Sequence, residues 1–321
     1  MGRAWRVEYA GGLYHVLSRG NERRDIFYDD RDRRTFMDVM GEMADHYGVD
    51  IFAYVLMNNH YHILLRTNHA NLSKSMQWLA LTYTRRFNNR HLRSGHLFQG
   101  RFKSIIVQND SYLMQLSCYI HRNPLRAGIT DRLAHYPWSS YRAYAYGGKT
   151  AEWLLIDPIL SQFKALDKHK AYRRKVQQYA EEENRIWEDF RYGMIMGTTE
   201  FVEKIRSTYL PETFNREIPQ HRAVGKSFDP EHMLNKAAET MNCDLDLIRN
   251  QRRISKEVKG DRDLLVYLLW KTCMLTNEEA GRLFGLTYSA VSHILSATRT
   301  RLQNDADFAG KYNLVYSQIK M

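Results

Sequence analysis

The chain has 321 residues, with 47 Lys and Arg against 36 Asp and Glu and a formal net charge of +11. Its 44% hydrophobic and 26% charged residues exclude wholesale disorder and a coiled-coil rod. The sequence contains no run of roughly 18 apolar residues, so no transmembrane helix is predicted. Without an apolar signal-peptide segment or a CxxC pair, the sequence favours a soluble protein of a reducing cytoplasm.

Strands and helices are predicted in alternation along the first part of the chain. In chain order they are a strand over 12–18, a helix over 30–46, strands over 51–57 and 60–66, a helix over 71–89, a strand over 101–107 and a helix over 110–122. Asn58 and Asn59 predict a hairpin between the two adjacent strands. Asp110 is expected to cap the last helix, and Pro124 to end it. This order predicts a small α+β domain with helices on an antiparallel sheet.

Three domains are predicted. The first spans residues 1–145 and ends in YRAYAYGGKT, which has the composition of a linker. A helical middle region spans 146–229, with helical periodicity over 155–210 and a loop predicted over 211–229. A helical C-terminal domain spans 230–321.

The positive charge is concentrated in the first half of the chain. Residues 1–150 hold 21 Lys and Arg against 12 Asp and Glu, which leaves +9. No carboxylate occurs between Asp50 and Asp110, and that stretch carries eight cations and five histidines. Uncompensated charge of this kind favours a polyanion such as nucleic acid, because cations gain affinity by releasing counterions from phosphates. The alternative is an ordinary solvated basic face.

A pair of histidines is the first candidate for chemistry. His60 and His62 are two residues apart on a predicted strand, so both side chains point to the same face. Two imidazoles on one face suit a divalent metal, although the pattern is also typical of core or surface histidines. Tyr119 and Asn123 share a face of the predicted helix, and the phenol could attack a phosphodiester beside such a metal. Spacing alone does not separate Tyr119 from Tyr112.

Four segments resemble single-tyrosine HUH transposases, and in particular their REP-associated branch. They are YVLMNNHYHILL (54–65), GHLFQGRF (95–102), YIHRNPLRAG (119–128) and YPWSS (136–140). The resemblance covers about residues 8–145 and implies an HUH-type, ferredoxin-like α+β domain, followed here by a mostly helical region with a helix-turn-helix. It also implies a bacterial, cytoplasmic, nucleoid-associated protein that works as a monomer or homodimer.

The same resemblance assigns residues to roles. Tyr119 is the expected nucleophile, and His60 and His62 bind a divalent Mg²⁺ or Mn²⁺. Asn123 stands where related transposases often have Gln as a third ligand. His121 is expected to contact DNA or to lie on the surface. The basic residues expected to hold DNA are Arg19, Lys74, Arg85, Arg86, Arg101, Lys103, Arg122 and Arg126.

A second DNA-binding element is predicted near the C-terminus. Thr276 and Glu279 form a capping box, Gly285 marks a turn, and Thr287 caps a following helix. This helix would present Tyr288, Ser289, Ser292 and His293 to a major groove; an ordinary helical hairpin is the alternative. The segments DLLVYLL (263–269) and AGRLFG (280–285) resemble the DNA-binding domain of the replication initiator DnaA, although LTYS (286–289) replaces that family's charged signature.

The predicted function is metal-dependent cutting and rejoining of single-stranded, REP-like hairpin DNA through a 5′-phosphotyrosine intermediate, with duplex DNA as a further partner of the C-terminal domain. One alternative is a non-catalytic DNA-binding regulator derived from a transposase. Another is a nuclease of the replication-initiator or relaxase type.

Overall fold

Four antiparallel strands form the centre of the N-terminal part of the protein. In this computed structural model, the described residues are 6–108, 111–148, 150–182, 189–209, 217–250 and 255–319. They divide into two compact units, one within 6–209 and the other within 217–319.

The first unit begins with the predicted succession of strands and helices. Its elements are β1 (Gly12–Arg19), α1 (Asp30–Tyr47), β2 (Val49–Leu56), β3 (His60–Thr67), α2 (Leu72–Arg90), β4 (Lys103–Val107) and α3 (Ser111–Arg126). The strands lie in the order β2-β3-β1-β4, with every neighbouring pair antiparallel. The predicted α+β class and ferredoxin-like arrangement are therefore confirmed. The predicted cap Asp110 lies outside the described residues.

The two faces of this sheet have different coverings. Helices α1 and α2 cover one face, where Phe36 of α1 packs against Tyr61 of β3 and Tyr83 of α2. Helix α3 packs on β2 and β3 from the other side. Because side chains alternate along a strand, Tyr61 faces α1 and α2 while its neighbours His60 and His62 face α3.

Helix α3 runs past the proline that was expected to end it. Pro124 lies inside the helix, which continues to Arg126. A proline has no N–H for the carbonyl four residues earlier, here that of Ile120. The side-chain amide of Asn123 donates to that carbonyl at 3.3 Å and to the Tyr119 carbonyl at 3.0 Å. The prediction of a helix end at Arg122 is wrong because Asn123 replaces the bond that Pro124 cannot make.

The first unit continues well beyond residue 145. Its later elements are α4 (Tyr141–Tyr146), α5 (Asp157–Leu160), α6 (Lys168–Glu182), β5 (Phe190–Arg191), β6 (Ile195–Met196) and α7 (Thr199–Tyr209). Residues 141–146 are thus a helix rather than a linker, and Tyr144 donates a hydrogen bond to the Phe52 carbonyl of β2. The short β5–β6 hairpin extends the sheet, with β6 parallel to β4. It falls where helix was predicted, since strands of two residues have no periodicity that a sequence pattern reveals.

The second unit is entirely helical in the residues that the structure describes. It contains α8 (Pro219–Gly225), α9 (Pro230–Met241), α10 (Leu245–Asn250), α11 (Lys256–Thr272), α12 (Asn277–Phe284), α13 (Tyr288–Asn304) and α14 (Ala306–Ile319). The apolar run 264–269 of α11 is buried in its core. Helix α8 lies in the segment 211–229 that was predicted to be a loop, of which residues 211–216 are not described. Across the described ranges of both units, no helix has the length and apolar character needed to cross a membrane.

Candidate active site

An open cleft of about 700 Å³ lies at one end of the sheet, between the strands and α3. It brings together eight of the residues predicted to act on DNA, which the sequence separates by up to 107 positions (Arg19 to Arg126). They are Arg19, His60, His62, Arg101, Lys103, Tyr119, Asn123 and Arg126. The cleft is therefore the candidate active site.

Strand register places the two histidines at the mouth and wall of this cleft. His60 pairs with Arg19 and His62 pairs with Leu17 across β1 and β3. The two imidazole rings lie on the same face, with their centres 5.2 Å apart. His62 is buried and His60 is partly exposed. His62 therefore lies on the interior side of the cleft and His60 on its solvent side.

Tyr119 faces these histidines from α3. The centre of its ring is 6.2 Å from that of His62 and 6.0 Å from that of His15, and both imidazoles meet it edge-on. The Arg126 guanidinium carbon lies 4.9 Å from the centre of the Tyr119 ring, which is within the range of a cation–π contact. Tyr112 lies elsewhere, because its hydroxyl donates to Asp189 at 2.7 Å and burial raises its pKa to about 12. Geometry therefore distinguishes the two tyrosines that spacing could not.

The donor atoms near Tyr119 fit a divalent metal. A metal about 2.1 Å from one nitrogen of each imidazole would lie about 3 Å from each ring centre, which the separation of His60 and His62 allows. Asn123 lines the same cleft, and its amide nitrogen is engaged by its own helix, so its oxygen is the atom available as a ligand. Within the described ranges, no group of three or more His, Cys, Asp or Glu side chains forms a metal cluster. The candidate set is thus two imidazoles and an amide.

Burial keeps the imidazoles of this site neutral. Burial lowers the pKa of His15 to about 4. The pKa of His62 is also lowered well below its ordinary value, first by burial and then by the charges of His15, His60 and Arg126. Burial and the Arg19 charge lower the pKa of His60. Neutral imidazole is the form that ligates a metal, so at neutral pH these rings are ready for one.

Several of the residues that line the cleft carry positive charge. Arg19, Arg101, Lys103 and Arg126 line it, and none of the described residues that line it is Asp or Glu. Arg19 also lies 3.5 Å from the side-chain oxygen of Gln99, another lining residue. The electrostatic character of this surface therefore suits a polyanion.

The remaining predicted DNA contacts lie outside the cleft. Lys74, Arg85 and Arg86 belong to α2 on the opposite face of the sheet, and Arg86 makes a bidentate ion pair with Glu42. Arg122 points toward α6, where it donates to the Val176 carbonyl at 3.2 Å. Cations that are close together in the sequence thus lie on opposite faces of the sheet.

His121 is buried, contrary to the prediction of a DNA contact or surface residue. Its side chain is 0% exposed, and its two ring nitrogens share hydrogen bonds with the Tyr172 hydroxyl at 2.7 Å and the Ser140 hydroxyl at 2.6 Å. Tyr172 belongs to α6, so this network joins α3 to the helix from the middle region. The prediction failed because the burial partner is 51 residues away in sequence.

In the second unit, the predicted capping residues lie where expected. Thr276 and Glu279 form the capping box of α12, and Gly285 ends that helix in the left-handed conformation, with φ of 63°. Thr287 accepts from the Ala290 amide at the start of α13. On this helix Tyr288, Ser289, Ser292 and His293 are exposed. Their contact with duplex DNA remains a prediction.

The N-terminal part of the chain is similar to known transposases. Residues 9–123 match the family described as Transposase IS200 like. A curated Haemophilus influenzae protein named as a REP-associated tyrosine transposase is 23% identical over 142 residues, which cover 41% of this chain and 80% of the relative. The predicted resemblance to tyrosine transposases is confirmed for this region, and it supports a transposase-like role in DNA processing.

Two solved structures are also similar to this chain. A REP-associated tyrosine transposase bound to a REP hairpin has 18% identity and a TM-score of 0.40, covering 47% of this chain and 89% of that one. A transposase of Deinococcus radiodurans has 20% identity and a TM-score of 0.28, with 38% and 95% coverage. The DnaA resemblance of the C-terminal segment stays a prediction.

Proposed function

We propose that this protein cuts and rejoins single-stranded hairpin DNA, of the REP-like palindromic kind, with Tyr119 as the nucleophile. The observation that carries this proposal is the meeting of Tyr119, His60, His62 and Asn123 in a cleft lined by four cations. A phenol beside two neutral imidazoles suits nucleophilic attack on phosphorus assisted by a metal. The cations suit the phosphates on either side of the reacting one.

The cleft favours a single strand as substrate. It is open, and a single strand can lay consecutive phosphates along Arg19, Arg101 and Lys103. Such binding is dominated by counterion release and does not require base recognition. A hairpin supplies an unpaired segment beside a duplex stem, which is the substrate that the REP-associated relatives suggest by name.

The proposed reaction is a transesterification. A divalent Mg²⁺ or Mn²⁺ held by His60, His62 and Asn123 would supply charge withdrawal from a non-bridging phosphate oxygen. The Tyr119 oxygen bonds to phosphorus, the bond from phosphorus to the 3′ oxygen breaks, and that oxygen leaves as a hydroxyl. The phenol releases one proton and the leaving oxygen takes one up, so protons balance. The product is a 5′-phosphotyrosine, whose ester energy allows rejoining without ATP.

Arg126 is placed to assist this step from the side of the tyrosine. Its guanidinium lies over the Tyr119 ring, next to where negative charge collects as the phenol is deprotonated and where it returns when the strand is rejoined. A fixed cation at the site of developing charge stabilises a transition state without reorganising solvent. We therefore include Arg126 with Tyr119 in the proposed catalytic machinery.

The test is formation of a covalent adduct. The full-length protein is incubated with Mn²⁺ or Mg²⁺ and labelled single-stranded hairpin DNA, and a band that survives denaturing electrophoresis is measured. Wild type and Tyr112→Phe are expected to form the adduct, and Tyr119→Phe is not. An adduct that persists in Tyr119→Phe, or none in wild type, would contradict the proposal. A dependence on two tyrosines would favour a nuclease of the replication-initiator or relaxase type.

A second candidate function is sequence-specific duplex binding by the C-terminal unit, as expected for a regulator. It is favoured by the capped turn between α12 and α13 and by the exposed polar row on α13. Replacing Ser289 and His293 together by Ala in the full chain is expected to weaken binding to the preferred duplex about 10-fold or more, since a base contact contributes about 1–3 kcal/mol. Adduct formation should be unchanged. Unaltered duplex affinity would remove the support for this function.

A further inference from the structure

Both candidate metal-binding histidines have one ring nitrogen tied to a neighbouring side chain. His60 Nδ1 lies 2.7 Å from the Asn59 side-chain oxygen. His62 Nδ1 lies 2.9 Å from His15 Nε2. In each ring the nitrogen left available is therefore Nε2. Neither Asn59 nor His15 is among the site residues predicted from the sequence.

Asn59 determines which nitrogen of His60 holds the proton. The Asn59 amide nitrogen donates to the Arg23 carbonyl at 2.9 Å, so the amide oxygen is the atom that faces His60. An amide oxygen only accepts hydrogen bonds. His60 Nδ1 must then carry the proton in the neutral ring, which leaves the lone pair on Nε2.

His15 has the corresponding role for His62. If His62 Nε2 is to hold a metal, its proton must be on Nδ1, and His15 Nε2 must accept it. The His15 proton then lies on Nδ1, which is buried without a hydrogen-bond partner among the described residues. His15 is only 1% exposed, and it is fixed in register on β1 beside β3. This arrangement leaves His15 Nδ1 without a hydrogen-bond partner among the described residues. In return, His15 Nε2 is held rigidly as an acceptor beside His62 Nδ1.

We propose that Asn59 and His15 are positioning residues that hold His60 and His62 in the tautomers whose unprotonated nitrogen is Nε2. This inference rests on the proposed function in one respect, namely that these two histidines ligate the divalent metal. Outer partners of this kind orient a ligand and select its tautomer, and their loss typically lowers metal affinity about 10–100-fold. They matter here because the candidate donor set includes no carboxylate.

The tautomers can be measured directly in the metal-free protein. With ¹⁵N-labelled histidine, long-range proton–nitrogen NMR spectra distinguish Nδ1–H from Nε2–H rings, and His60→Gln and His62→Gln assign the signals. We expect both rings to be Nδ1–H. An Nε2–H signal from either ring would overturn the role assigned to its neighbour.

Metal affinity gives a second measurement, by calorimetric titration of the full-length protein with Mn²⁺. His15→Met removes the acceptor at similar volume, whereas His15→Gln keeps an acceptor oxygen near the position of Nε2. We expect a 10–100-fold weaker affinity in His15→Met and a near-wild-type affinity in His15→Gln. Equal affinities in the two variants would show that His15 only fills space, and would overturn its role.

Asn59 is tested in the same way by Asn59→Leu and Asn59→Asp. The Asp variant keeps an oxygen for His60 Nδ1–H, and the Leu variant does not. We expect the Leu variant to lose affinity and the Nδ1–H signal of His60 together, and the Asp variant to keep both. Retention of both by the Leu variant would overturn the role of Asn59.

Failure of this inference differs from failure of the proposed function. If wild type forms no DNA adduct while the tautomers and the Mn²⁺ affinities are as expected, the proposed reaction is wrong and the positioning roles stand. If the adduct depends on Tyr119 while His15→Met binds Mn²⁺ as wild type does, the proposed reaction stands and the positioning role of His15 is wrong.

Discussion

The two faces of the N-terminal sheet carry cations from the same stretch of sequence, but they differ in what lies beside those cations. On the face covered by α1 and α2, Arg86 pairs with Glu42, and Arg90 pairs with Asp29 and Asp32. On the other face, four cations line the cleft with no Asp or Glu among the described lining residues. The arginines of α2 thus meet carboxylates of α1 and of the turn before it, whereas the cleft gathers cations among described lining residues that include no carboxylate.

This difference shows the limit of a charge pattern that is read along the chain. The stretch between Asp50 and Asp110 has no carboxylate, yet the fold supplies carboxylates from α1 and β2 to three of its eight cations. Besides the two arginines of α2, Arg66 pairs with Asp50. What marks the cleft is that its described lining residues include four cations and no carboxylate, which only the tertiary structure reveals.

The largest effect is expected from Arg126, the cation that lies over the ring of the proposed nucleophile Tyr119. Arg126→Gln should lower the rate of adduct formation by about 10²–10³-fold, the usual cost of removing one stabilising group at developing charge. Arg126→Lys should fall between, because it keeps the charge but lacks the planar guanidinium. The rate is measured in single-turnover reactions with excess protein. Arg85→Gln, an exposed cation of α2, is the matched control, and equal rates for the Arg85 and Arg126 variants would break the distinction between the two faces.

The next prediction concerns binding rather than chemistry. Replacing both Arg101 and Lys103 by Gln should reduce the slope of log affinity against log salt by about 0.7 for each DNA phosphate that the protein no longer neutralises. The control replaces both Lys74 and Arg85, which are exposed on α2, and should leave the slope unchanged. Fluorescence anisotropy with a single-stranded oligonucleotide over a series of salt concentrations measures both. A larger change in the control pair would place the DNA on the other face.

Most of the fold of the N-terminal domain could be predicted because its elements are long and strongly patterned. The hairpin was predicted at 51–57 and 60–66 and is observed at Val49–Leu56 and His60–Thr67. Local sequence patterns failed to predict secondary structure where a contact with a distant or unusual partner determines it. Examples are the two-residue strands β5 and β6, the helix that continues through Pro124, and α4, whose Tyr144 is buried against β2.

The candidate site was predictable to a similar extent. The period of two along a strand placed His60 and His62 on one face, and the spacing of four along a helix placed Tyr119 with Asn123. His15 and Asn59 were missed for different reasons. His15 meets His62 through the register of β1 and β3, across 47 residues, and no local pattern encodes that pairing. Asn59 was interpreted only as a turn residue, although its neighbour in sequence was a candidate ligand.

The two sides of helix α3 also differ, because His121 is fully buried while Tyr119 lines the cleft. Burial lowers the pKa of His121 to about 3, so the folded state holds this ring neutral. Above the unfolded pKa of about 6.5 both states are neutral and stability is complete; below it the unfolded chain binds the proton first. The free energy of unfolding should then fall by up to about 1.4 kcal/mol per pH unit until the folded pKa is reached.

His121→Gln removes this contribution and should make the loss of stability between about pH 7 and about pH 5 shallower than in wild type. Urea unfolding at the two pH values gives the difference. His46→Gln, which changes an exposed ring on α1, serves as the control and should follow wild type. If the His121 variant loses stability as steeply as wild type does, the buried network is not the source of the acid sensitivity.

The smallest effect on stability is expected on the face of the sheet that α1 and α2 cover. Arg86 and Glu42 are 39% and 44% exposed and meet in a bidentate pair, so a double-mutant cycle with Ala at both positions should give a coupling of at most about 1 kcal/mol. Replacing either residue should also leave the affinity for single-stranded DNA unchanged, because Glu42 already neutralises the charge of Arg86. If Arg86 instead contacts DNA, Arg86→Gln weakens binding and Glu42→Gln strengthens it by freeing the arginine. Opposite shifts in the two variants would mean that the polyanion reaches α2, and that both faces of the sheet take part in holding it.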